Sequence, residues 1–184
     1  MRWRTLGGIR SGWTGDDATL QFREDLKMSV ERVRKYLKQW KLEDRVKEFD
    51  ESSATVELAA HAVGCEPGKI AKTMSFLVDG KAILILLAGD VKIDNRKYKD
   101  HFHTKAAMLK PDQLEELIGH PIGGVCPFDV KETVDVYLDE SLRRFEVVYP
   151  AAGSPSSAVE LTLAELEACS RCRGWVDVSK LMEG

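Results

Sequence analysis

No apolar run in this 184-residue chain approaches the roughly 20 residues that a bilayer span needs. The longest, AILILLA at residues 82–88, has the length of a strand. The N-terminus lacks the apolar core of a secretion signal. Cysteine is scarce: the four present, without secretory features, read as reduced thiols of a cytoplasmic protein rather than a disulfide frame. An excess of positive charge is also missing. With 27 Lys and Arg against 30 Asp and Glu, the formal charge is −3, which excludes a bulk nucleic-acid coat and leaves room only for a local contact with a polyanion. Cys169-Ser-Arg-Cys172 has no second C-x-x-C to complete a zinc site, and nothing in the sequence brings His101 and His103 to it; no metal or cofactor is expected. Neither an internal repeat nor a low-complexity tract is found. What remains, at 43% hydrophobic, is enough for one packed domain.

Residues 1–27 stand apart. Gly7-Gly8, Ser11-Gly12 and Thr14-Gly15 interrupt any period, and Trp3 and Trp13 have no apolar partners at helical spacing. Met28 is followed by Ser29, a good N-cap, and by Val30, Val33, Leu37 and Trp40 on one stripe, predicting a helix from Val30 to about Lys41. The domain is therefore expected at 28–184, with 1–27 an upstream extension; an arm anchored by an aromatic is the competing reading. Residues 45–50 are ambiguous between a strand and a helical turn. Strands are expected at 73–78 and 82–88, joined by Asp79-Gly80, a strong hairpin signal. AILILLA has no polar face, so it belongs at the centre of a sheet covered on both sides. A short helix over 111–118, strands at 134–138 and 145–149 with a helical turn between, a strand at 158–161, a helix capped by Thr162 through Glu167 and a last strand at 175–178 complete the pattern. The intermixing lacks the regular alternation of a doubly wound sheet. It predicts an α+β fold, a mixed, largely antiparallel sheet or partial barrel surrounded by helices.

The stretch over residues 55–76 carries the most information. Val56, Ala59, Ala60 and Val63 form one helical stripe, Thr55 is placed to cap it, Glu57 suits its positive end and Gly64 its stop. After Pro67-Gly68 the period changes to two: Met74, Phe76 and Val78 alternate with Thr73 and Ser75. The same parity turns Lys72 inward, at the strand's first position. A lysine there either snorkels past the strand end into water or sits as a cation at the mouth of a pocket.

Three motifs in order resemble the YbaK and prolyl-tRNA-synthetase-associated family of aminoacyl-tRNA editing deacylases. They are T-V-x-x-A-A-x-x-x-G with I-x-K-T-M-x-F over residues 55–76, GHPIGGVCP over 119–127, and AGSPSSAVEL over 152–161. The resemblance tips 45–50 to a strand. It implies that Lys72 is the essential catalytic residue and that Thr55, Gly119, Gly123, Gly124, Cys126, Pro127, Gly153 and Ser154 bound the substrate pocket. Gly123-Gly124 has a physical argument of its own, since a glycine pair lets backbone N–H groups approach a ligand, although such a pair equally serves a loop needing positive φ. Cys126 reads as pocket-lining; a thiol nucleophile there would need a histidine base, and His120 is near only in sequence. The basic run over residues 91–105 is either a solvated helix face or, through Arg96, Lys97 and Lys99, a rim for tRNA phosphates. The implied function is a freestanding hydrolase that deacylates mischarged aminoacyl-tRNA, with tRNA for proline carrying Ala or Cys as the implied substrate. Its partners would be the tRNA acceptor end and a synthetase that supplies tRNA selectivity. The alternative is a non-catalytic module on the same fold that binds a nucleotide, an aminoacyl-adenosine or a synthetase.

Overall fold

The computed structural model describes residues 15–51 and 55–183. The glycine pairs and tryptophans noted in residues 1–14 lie outside the described residues.

Helix α1 spans Gly15–Leu37 and is followed by a 3-10 turn at Lys38–Trp40. Helical order thus runs straight through Met28, where the sequence pattern suggested a start. Asp16 and Asp17 complement the dipole at the first turn, and a polar turn can extend a helix that packing has already nucleated. Burial nevertheless begins where the apolar stripe does. Residues 16–25 are exposed, whereas Ser29, Val30, Val33 and Leu37 are buried. Ser29 is therefore a mid-helix residue rather than a cap.

Strand β1 (Val46–Glu48) leads to helix α2 (Val56–Val63), capped by Thr55, whose hydroxyl oxygen accepts from the Leu58 N–H at 3.2 Å. Strands β2 (Ile70–Val78) and β3 (Lys81–Ala88) form the expected hairpin. Asp79 and Gly80 both have positive φ, +48° and +78°, as a two-residue turn of this hand demands. Strand β2 begins at Ile70, so Lys72 is its third residue rather than its first. Ile70 and Ala71 pair with Tyr149 and Pro150, a partner that a local pattern does not reveal.

Strand β4 (Val91–Ile93) and helix α3 (Asn95–Phe102) follow, then helix α4 (Pro111–Leu117), strand β5 (Asp135–Asp139), a 3-10 turn at Glu140–Arg144 and strand β6 (Val147–Pro150). The strand expected at 158–161 is split into β7 (Ser157–Val159) and β8 (Leu161–Thr162), which pair with different partners. Helix α5 (Leu163–Ser170) opens with a reciprocal cap between Thr162 and Glu165. Strand β9 (Gly174–Val176) and an unanticipated β10 (Ser179–Leu181) end the order.

The main sheet runs β8-β6-β2-β3-β5-β9. Its β2–β6, β3–β5 and β5–β9 pairs are parallel, and β2–β3 and β6–β8 antiparallel. Two small antiparallel sheets, β1–β7 and β4–β10, flank it. This is the expected mixed α+β architecture, with the sheet curled into a half-barrel between helices. Strand β3 lies at its centre, with Leu84 to Ala88 fully buried, as a strand without a polar face requires. The basic helix α3 is held by Tyr98, which is fully buried against Phe76 and Phe102 at ring-centroid distances of 5.1 and 4.7 Å. Among the described residues no helix is long and apolar enough to cross a membrane.

Candidate active site

A cavity of about 320 Å³ opens between α2, the start of β2 and the two glycine-containing loops. Val56, Ala59 and Val63 of α2 give it one apolar wall, and Ile70 with Val125 and Ala151 give it others. Lys72 and Thr73 lie in its lining beside Thr55, Tyr149 and Ser157. Lys72 is thus a cation in the lining of a pocket, but Thr73, of opposite parity, lines it too and Ser75 is buried, so β2 does not show the one-sided alternation that the sequence suggested.

Lys72 is half-buried. Its Nζ donates a short hydrogen bond to the Val91 carbonyl and approaches the Gly89 carbonyl at 3.5 Å. An ammonium has three N–H donors, so two are directed at backbone and one is left for a ligand. Burial pulls the Lys72 pKa below the ordinary lysine range, while the carboxylates of Asp90 and Glu57 oppose that shift. Thr73 contributes a buried hydroxyl without a hydrogen-bond partner in the described structure.

The two loops meet each other more than they meet the cavity. Gly123 (φ +81°) lines it, and an added Cβ there would stand 3.2 Å from Pro155. Gly124 faces away: its Cβ would fall 2.6 Å from the Gly153 carbonyl. Gly153 (φ +100°) in turn lies against helix α1, where a Cβ would come within 2.8 Å of the Ser29 backbone. These glycines exist so that three backbones can touch. Gly119 and Pro127 stand at the ends of the first loop. Arg32 of α1 ties those ends together, donating to the Gly119 carbonyl at 2.9 Å and to the Asp129 carboxylate at 2.9 and 3.1 Å. Ser154 is buried in a turn closed by Ser157, whose hydroxyl accepts from the N–H groups of Ala152 and Ser154 and donates to the Ser154 carbonyl at 3.0 Å. Of the residues expected in the substrate site, the fold places Thr55, Lys72 and Gly123 on the cavity; Gly119, Gly124, Cys126, Pro127, Gly153 and Ser154 are not in its lining.

Cys126 and His120 are brought together, with Sγ 3.6 Å from Nε2, yet both side chains are fully buried. His120 Nε2 lies 2.6 Å from the Phe128 carbonyl, which only accepts, so Nε2 carries the proton. Nδ1 then accepts from the Ser29 hydroxyl at 3.2 Å. The thiol thus faces an N–H rather than a base, and burial pushes it up to about 12. This is the chemistry of a structural joint, and His120 is its centre, a role not readable from its place in the sequence.

Cys169 is buried in α5 and burial pushes its thiol up to about 12 as well. Among the described residues no group of three or more His, Cys, Asp or Glu side chains is arranged to hold a metal ion. On α3, Lys97 is committed to the Asp177 carboxylate at 2.8 Å and to the Ser179 carbonyl at 2.9 Å. Arg96 and Lys99 are exposed on the same helix.

Residues 50–169, which carry both loops and all of the described cavity lining except Phe49, match the aminoacyl-tRNA editing domain. The chain belongs to that family. Uncharacterized protein YwhH of Bacillus subtilis (strain 168) is 50% identical over 154 residues, covering 83% of this chain and 98% of that one. Proline–tRNA ligase of Geobacillus kaustophilus (strain HTA426) is 31% identical over 87 residues, 47% of this chain but only 15% of the ligase. The fold is shared with the crystal structure of a proposed trans-editing enzyme for prolyl tRNA synthetase, at TM-score 0.75 and 31% identity over 83% of this chain and 97% of that chain. The editing-domain assignment and the α+β half-barrel thus agree.

Proposed function

We propose that this editing domain is a freestanding deacylase that hydrolyses the ester of mischarged aminoacyl-tRNA, with tRNA for proline carrying alanine or cysteine as its substrate. The observation that carries the reading is the Lys72 ammonium, held by two backbone carbonyls in the lining of a cavity whose other walls are mostly apolar, with the hydroxyls of Thr55, Thr73, Tyr149 and Ser157 among them. An aminoacyl ester is already activated, so the site needs to hold the carbonyl and stabilise the negative charge that develops on its oxygen. The remaining Lys72 N–H is the donor for that charge or for the terminal adenosine. Small size and apolar walls favour a short uncharged side chain, because a charged one would lose its hydration without a partner. The likeness to part of proline–tRNA ligase and to the trans-editing structure supports the choice of tRNA. Arg96 and Lys99, with Lys97 held beside them, form the proposed rim for the acceptor stem, and a synthetase is the proposed source of further tRNA selectivity.

The test is deacylation by the purified chain across a panel of mischarged tRNAs. Turnover of Ala- or Cys-charged tRNA for proline, and not of the Pro-charged form, is the expected result. Tight binding of the panel without turnover would replace the enzyme by a binding module on the same fold.

A further inference from the structure

What aims Lys72 is not its own strand but the turn between β3 and β4, since the carbonyls of Gly89 and Val91 receive its ammonium. That turn is restrained from four directions. Gly89 is pressed onto α2 and the 3-10 turn at Pro67–Lys69 that follows it: an added Cβ would lie 2.1 Å from the Pro67 carbonyl oxygen and 2.5 Å from Val56. The Asp90 carboxylate is gripped at both oxygens by the Arg144 guanidinium, with Nη1 to Oδ2 at 2.9 Å. The Asp90 carbonyl accepts from the Met182 N–H at 3.1 Å, and Val91 is in register with Leu181 of β10. Arg144 is itself fixed, donating from Nε to the Ser141 carbonyl at 2.9 Å and lying over the Phe145 ring at 4.9 Å. Phe145 packs where a side chain on Gly68 would otherwise stand.

A tight turn needs no bidentate ion pair to form, and this pair is set against the carbonyls that hold the one cation among the described residues of the cavity lining. We infer that Asp90 and Arg144 are positioning residues of the editing site, their ion pair fixing the Gly89–Val91 turn that orients the Lys72 ammonium. The inference rests on the reading of Lys72 as the catalytic group. Asp90 touches no reacting atom; it acts through the turn and through its charge. The charged groups that act on Lys72 are Asp90 and Glu57, with Arg144 behind Asp90, and Arg144 in turn feels Glu66 and Asp139. Arg144 holds the Asp90 carboxyl below its ordinary range and so partly cancels its field at Lys72.

The two partners therefore have opposite effects on one observable. In full-length protein with ¹³C-labelled lysine, the Lys72 titration is followed by NMR and assigned by its loss in Lys72→Arg. Asp90→Asn removes the carboxylate and is expected to move the Lys72 titration down by about one pH unit, while Arg144→Gln uncovers the carboxylate and moves it up. The high-pH limb of deacylation follows in the same directions, and kcat of Asp90→Asn falls roughly tenfold or more with KM for charged tRNA little changed. Arg144→Lys, which keeps the charge but not the fork, restores the titration more than the rate. A pair serving only stability would lower both melting temperatures and leave the Lys72 titration where it is, and that result overturns the inference. Should Asp90→Asn not fold, Met182→Pro removes the N–H to the Asp90 carbonyl without a change of charge, and unaltered kcat in that variant together with an unmoved titration in Arg144→Gln is equally fatal. Opposite titration shifts in a protein that deacylates no tRNA would retain the positioning device and reject the deacylase reading; activity with no shifts would do the reverse.

Discussion

On one side of the cavity, β2 presents side chains, Lys72 above all, into a space lined by apolar residues of α2. On the other side, the loops around Gly123-Gly124 and Gly153 add small apolar side chains such as Val125 and Ala151, and most of their glycine and polar motif residues are spent on contacts with each other and with α1. Both regions carry family motifs, yet the first is built for a charge and the second for close approach. A motif residue can thus be indispensable to a site without touching its contents, and substitutions should separate the two kinds.

The largest effect is expected at Lys72. Lys72→Ala should abolish deacylation while circular dichroism shows an intact fold, since it removes an inward cation rather than packed apolar volume. Lys72→Arg should recover little if a compact point charge is needed, and much of the rate if only positive potential is. Near-normal activity in the alanine variant would erase the distinction between the two regions.

Gly153→Ala tests the other side. At φ +100° and with the Ser29 backbone 2.8 Å from the new Cβ, it should cost roughly 2–3 kcal/mol in denaturant unfolding. Gly80→Ala, also at positive φ but with open space around it, should cost about 1 kcal/mol. Equal costs would mean that close approach is not what selects Gly153.

A smaller effect is expected on α3. Neutralising Arg96 and Lys99 should raise KM for charged tRNA, leave kcat alone and reduce the salt slope of binding by about one to two. Lys97→Gln should instead cost a few tenths of a kcal/mol of stability, because its ammonium is already spent on Asp177 and Ser179. An unchanged slope returns the run to a solvated face.

The His120 joint predicts a pH dependence. Burial lowers the His120 pKa in the folded state below its ordinary 6.5, so below that value the unfolded chain binds the extra proton first. Its stabilising contribution is complete above about pH 6.5 and is lost as pH falls from there towards the folded pKa, at up to about 1.4 kcal/mol per pH unit. Urea unfolding at pH 7.5 and 5.5 checks this, and His120→Gln should remove that part of the slope. The smallest effect is expected from starting the chain at Met28. Residues 16–25 are exposed, so the melting temperature should stay within about 2 °C. A larger drop would show that Leu26, half-buried, or Phe22, which lies beside Gly123, belongs to the domain.

Elements of one strong period were legible along the chain. The α2 stripe with its Thr55 cap, the Asp79-Gly80 hairpin and the all-apolar β3 depend on neighbours within a few residues, and local spacing encodes them. The three family motifs added the editing-domain assignment. Tertiary structure alone decided what depends on distant partners. Strands of two or three residues such as β7, β8 and β10 have too few positions to show a period, and they exist because β1, β6 and β4 offer them edges. The extension of β2 back to Ile70 waits on Tyr149 and Pro150 of β6. Cys126 and Gly124 are not in the cavity lining because α1 packs Ser29 into the space between the loops, and His120 became a joint by the same contact. The carbonyls that hold Lys72 belong to a turn pinned by residues from four separate parts of the chain, and only folding brings those parts into one place.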